Sequence, residues 1–71
     1  MRLTAKQKKL CRAIEGFNIL GQNPSHQELS AVLGVTQPAV TAMVKTLVEK
    51  GAIQKVDTYK RTLKLLVELD N

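Results

Sequence analysis

The sequence predicts a mainly α fold with a small antiparallel β component, three helices and then a two- or three-stranded hairpin. Three observations predict it. Apolar residues recur at three- and four-residue spacing in three successive blocks, and a hydroxyl residue stands in the capping position before each. Beyond Gly51 the apolar period drops to alternate residues. With 71 residues the chain is long enough for one domain, 1–71, with a thin core and little stability to spare.

Thr4-Ala5-Lys6-Gln7 fits a capping box, the hydroxyl answering a Gln three residues on, and opens a helix over 4–20. Leu10, Ile14 and Phe17 form its apolar stripe with Cys11 beside them, while Gly16 weakens it by about 1 kcal/mol relative to Ala. Gly21-Gln22-Asn23-Pro24 stops it and can supply a minimal third strand. Ser25-His26-Gln27-Glu28 is a second capping box, for a helix over 25–33 that buries Leu29, Val32 and Leu33 and sets the small Ser30 against a close neighbour. Gly34 stands where a helix end wants positive φ. Thr36 caps a third helix, 37–50, with Pro38 in the turn that has no amide bond to lose. Val40, Val44, Leu47 and Val48 make its inner stripe, with Met43 at the flank, and Gly51 ends it.

A hairpin over 52–69 follows. Ile53 and Val56 belong to its first strand, and the polar stretch 57–61 forms its tip. In the second strand Leu63, Leu65, Val67 and Leu69 share one face. Leu66 breaks the alternation, as either a lone exposed residue or a contact with another chain. Two helices joined by so short a turn cross steeply, and the hairpin after them completes a winged helix-turn-helix layout.

Eleven Lys and Arg against six Asp and Glu leave a net charge of +5, which favours an anionic partner, nucleic acid before a membrane surface or an acidic protein. The lone cysteine excludes an intramolecular disulfide and reads as a reduced core thiol. No apolar run approaches the roughly 20 residues of a membrane span, and no signal-peptide pattern follows the basic N-terminus, so the cytoplasm is the expected compartment. Phe17 and Tyr59 are the only aromatic residues, too few for a surface that stacks single-stranded bases. One His, one Cys and six scattered acids make no catalytic or metal-binding constellation, and no cofactor is expected. His26 reads as a surface residue, either touching a phosphate or idle.

The third helix points to duplex DNA. With its inner stripe buried, it turns Gln37, Pro38, Thr41, Ala42, Lys45 and, further on, Thr46 and Glu49 outward, and no acid stands in its first two turns. Gln can pair bidentately with adenine, and Ala42 and the Thr41 methyl can pack on thymine in a major groove about 12 Å wide. Thr36 and the first-turn amides can hold a phosphate, and Lys45 falls on the backbone. Arg2, Lys6, Lys8, Lys9 and Arg12 precede the first acid, so two or three of them flank the duplex. Lys60 and Arg61, at the hairpin tip, reach a phosphate or the neighbouring minor groove; Tyr59 either donates to a phosphate or covers the strand stem.

Leu3-Thr4-Ala5-Lys6-Gln7, Pro24-Ser25, Glu28-Leu29, Leu33-Gly34 and Lys50-Gly51-Ala52-Ile53 resemble the DNA-binding domain of LexA-type repressors. The central "LGVTQPAVTAMVKTLVEKGAI" is similar to the recognition segment of MarR-type regulators, whose spacing from Gly34 to Gly51 fits slightly better. The resemblance implies sequence-specific binding of double-stranded DNA and transcriptional control, usually as a homodimer on an inverted repeat, in a bacterium or phage. It carries over Gln37, Pro38, Ala39, Thr41, Ala42 and Lys45 as readers, Ser25 or Thr36 as a backbone contact, and Lys60 and Arg61 as wing contacts. The 71 residues hold neither the self-cleaving peptidase region of LexA nor the long dimerisation helices and effector pocket of MarR-type proteins, so no small-molecule effector is expected. The expected function is therefore a DNA-binding regulator acting as a repressor. The alternative is a winged-helix adaptor, or a small phage-type regulator docking on a host factor, whose basic face meets an acidic protein.

Overall fold

Three helices and a two-stranded sheet follow in the order α1 (Ala5–Ile19), α2 (His26–Leu33), α3 (Gln37–Glu49), β1 (Ile53–Asp57) and β2 (Thr62–Leu65), with α1 and α3 packed on the sheet. The computed structural model describes residues 3–57 and 62–67. Each helix begins where a side chain satisfies its first amides. Thr4 and Gln7, and then Ser25 and Glu28, form complete capping boxes, while the Thr36 hydroxyl accepts from the Ala39 amide.

The ends are equally local. At α3 the Ala52 amide donates to Leu47 O at 2.9 Å and the Gly51 amide to Val48 O at 3.0 Å. This Schellman closure needs a left-handed residue, which Gly51 supplies at φ 77°. Gly34, at φ 68°, ends α2 in the same left-handed region, and the chain then re-enters a helix after two residues. The turn sets α2 and α3 at a bend of 112°, within the range of helix-turn-helix pairs.

The core joins all five elements. Leu10, Cys11 and Ile14 of α1, Leu29 of α2, Val40, Val44 and Leu47 of α3, Ile53 of β1 and Leu63 of β2 are buried together with Ala52. Burial pushes the Cys11 thiol above its ordinary pKa by desolvating the charged form. Val32, expected in the core, is 59 % exposed. Leu29 alone plugs the short α2 into the core, while Leu33 only flanks it, so the expected stripe is wider than the neighbours can cover.

The sheet is antiparallel, pairing Ile53 with Leu65, Gln54 with Lys64 and Lys55 with Leu63, then slipping by one residue so that Asp57 faces Thr62. The extra residue is Val56, which is exposed, as an irregularity in the ladder permits. The expected second strand ends early: β2 stops at Leu65, and Leu66 turns its amide to Ala52 O at 2.9 Å while its side chain lies in solvent. Around Gln22–Pro24 the sheet gains no third strand among the described residues; one bond, from the Leu63 amide to Pro24 O, marks the place.

Asn18 fastens these parts. Its Nδ2 donates to Gln22 O at 2.8 Å and its Oδ1 accepts from the Leu65 amide at 2.9 Å. One side chain thus holds the end of α1, the following loop and β2 in a fixed relation.

Candidate nucleic-acid interface

Packing fixes which side of α3 faces out. Val40, Val44 and Leu47 are sealed in the core, and Gln37, Pro38, Thr41, Ala42 and Lys45 lie exposed along the other side. Thirteen residues make a rod of about 20 Å. No acid stands in its first turn; Glu49, its last residue, is the acid nearest the end. Ala39 is exposed as well, but on the flank turned towards α1.

There Ala39, Ala42 and Met43 share a cleft of about 440 Å³ with Lys6 and Lys9. The structure therefore brings two of the N-terminal cations beside the first half of α3. The field along that edge is positive without a compensating carboxylate in the cleft lining.

The first turn of α3 offers less to a phosphate than its sequence suggests. Pro38 has no N–H, the Ala39 amide is bonded to Thr36 Oγ1 at 3.4 Å, and the Val40 amide to Thr36 O at 3.2 Å. An anion there would meet the Gln37 amide and the exposed Thr36 side chain. Ser25 is half-buried and already accepts from the Glu28 amide at 3.2 Å, so its hydroxyl has a capping role first.

His26 corrects the expectation of a surface residue, whether idle or touching a phosphate. It is only 6 % exposed, and its Nδ1 lies 3.1 Å from Thr41 Oγ1. The steep crossing of α2 on α3 places the first residue of α2 under the middle of α3's outward side. Thr41 is thus exposed and anchored at once: its hydroxyl is turned towards the imidazole, which favours its methyl for contact with a partner. The sequence carried a weak signal for this pairing, since the start of one helix must lie beneath the helix it braces. The link from Asn18 to the sheet had none, because its partners there lie 45 and 47 residues away.

Lys60 and Arg61, assigned to the hairpin tip, lie outside the described residues, as does Tyr59. Lys55 and Lys64 project from the strands below the tip.

A steeply bent helix pair, an exposed face on its second helix and a hairpin packed behind define a winged helix-turn-helix protein. The model of the MarR family matches residues 19–58, from the end of α1 through β1. The chain belongs to the MarR family, winged-helix regulators of transcription. No curated protein matches it. No single helix among the described residues is long and apolar enough to cross a membrane.

Proposed function

We propose that the chain is a sequence-specific binder of double-stranded DNA that acts as a transcriptional repressor, with α3 in the major groove. The observation that carries this reading is the outward side of α3, small and uncharged through two turns, ending in Lys45 and flanked by Lys6 and Lys9. A solvated helix face with no partner usually carries paired acids and bases, whereas the first two turns of this one hold nothing that repels phosphate.

Gln37 reads adenine by a bidentate pair, and Ala42 and the Thr41 methyl pack on thymine. Pro38 and Ala39 fit against the groove wall. Thr36, Ser25 and Lys45 hold the backbone, as do Lys60 and Arg61 at the tip of the wing or in the adjoining minor groove. One such helix covers only a few base pairs, so two copies on an inverted repeat are needed for a useful site length. A domain seated in the groove excludes other proteins from the same duplex, which makes repression the simplest outcome. The site of action is the cytoplasm of a bacterium or of a phage-infected host.

Selection from a random duplex library with the purified chain, followed by footprinting, tests the proposal. A recovered motif with two half-sites supports it, as does a log–log salt slope of about −4 to −5 for some five phosphates. Unselected sequences and affinity weaker than about 100 μM at physiological salt overturn it.

A further inference from the structure

The seam between α1 and α2 carries a surface that the DNA reading uses only at its α3 end. The cleft of about 440 Å³ beside α3 has an apolar floor of Leu33, Val35 and Met43 under Lys6 and Lys9. A second cleft, of about 350 Å³, lies farther along α1, where the half-buried Ala13 and Phe17 and the exposed Leu20 and Val32 line it beside Arg12. Lys9 of the first is one turn from Ala13 of the second, and Leu33 and Val32 are neighbours in α2. Together they make an apolar trough along α1 about 20 Å long.

Three features say what fits it. Leu20 and Val32 are 75 % and 59 % exposed and leave apolar surface at the far end for an occupant to cover. Gly16 has no atom within 4 Å of where a Cβ would stand. Its place in mid-helix, at a cost of about 1 kcal/mol, therefore relieves no internal crowding and instead opens the trough to a close-packed backbone. Lys6, Lys9 and Arg12 edge the trough, with no acid among the residues that line either cleft. A second copy would bring a further +5 to this basic edge, whereas an acidic occupant complements it.

We infer that the α1–α2 trough is a docking site for an acidic amphipathic helix of a partner protein. The helix lays an apolar ridge of three- and four-residue spacing over Phe17, Leu20, Val32 and Leu33, with its carboxylates against Lys6, Lys9 and Arg12. Its far end covers Ala39 and Ala42, so a docked helix and a duplex exclude one another. Only this last consequence rests on the DNA reading.

The test is fluorescence anisotropy with a labelled 18-residue peptide, Leu at every third or fourth position and Glu elsewhere, in the absence of DNA. Saturable binding is expected, weakened at least tenfold by Val32→Asp or Leu20→Asp and severalfold by Lys6→Glu with Lys9→Glu. All four residues are exposed, and circular dichroism checks that each variant keeps its helices. Binding equal to that of a scrambled peptide of the same composition overturns the inference, as does indifference to Val32→Asp. So does a dimer of the chain alone that Val32→Asp dissolves, which would make the occupant a second copy. Failure here leaves the recovery of a duplex motif untouched, and failure of that recovery leaves peptide binding untouched.

Discussion

The two sides of α3 are made of different residues and answer to different constraints. Inside are Val40, Val44 and Leu47, each no more than 1 % exposed and each touched by other core side chains. Outside are Pro38, Thr41, Ala42 and Lys45, of which the fold engages Thr41 through the buried His26. Packing dictates the first set, and a change there is paid in stability. Apart from Thr41, the second set is free to vary as far as folding is concerned, so its character reports on what the helix meets. One helix thus separates the physics of standing up from the physics of recognition, and substitutions can pull the two apart.

The sharpest separation comes from Leu47→Ala. It opens a cavity where three helices and the sheet meet and costs about 2–5 kcal/mol, read as a fall in denaturation midpoint whether or not DNA is present. Gln37→Ala is the opposite case: the midpoint stays, while discrimination against a wrong base pair falls by about 1–3 kcal/mol in competition binding. An equal loss of affinity for every sequence would mean that Gln37 touches backbone instead. Thr36→Ala blurs the division, since it removes the cap bond to Ala39 at the foot of the outward side. It should cost about 1 kcal/mol of stability and leave the selected sequence unchanged.

The smallest effect belongs to Cys11, wholly interior. Its thiol is buried and its pKa raised, so the native chain should react with a thiol reagent at least an order of magnitude more slowly than the unfolded chain. The sign of the pH dependence follows. The unfolded chain ionises first, so the contribution is whole below the thiol's ordinary pKa and fades as pH rises through the folded value. A chemical melt repeated from neutral to mildly alkaline pH reads it, with Cys11→Ala as the flat reference.

Much of this was legible in the sequence because it is decided within four residues. The Thr4, Ser25 and Thr36 caps, the left-handed Gly34 and Gly51, and the inner stripe of α3 are local chemistry, and they fix the order of helix, helix, turn, helix and hairpin. The outward side of α3 was legible as the complement of that stripe. What escaped depends on where elements cross. Val32 lies outside because α2 rests on a single plug at Leu29, and the strand expected to reach residue 69 leaves the ladder after Leu65. The clasp of Asn18 and the burial of His26 need partners that only the folded chain brings near. The meeting of Lys6 and Lys9 with Ala39 and Ala42 was equally hidden, since net charge says nothing of direction.

The bond between His26 and Thr41 means that the chemical face of α3 is not the property of α3 alone. Transplanting residues 37–49 onto another scaffold would leave the hydroxyl at position 41 to swivel, offering donor, acceptor or methyl at random. A graft that keeps the imidazole of residue 26 with it would hold one rotamer. Any code relating this helix to a sequence of bases therefore has to be written with a letter from its neighbour.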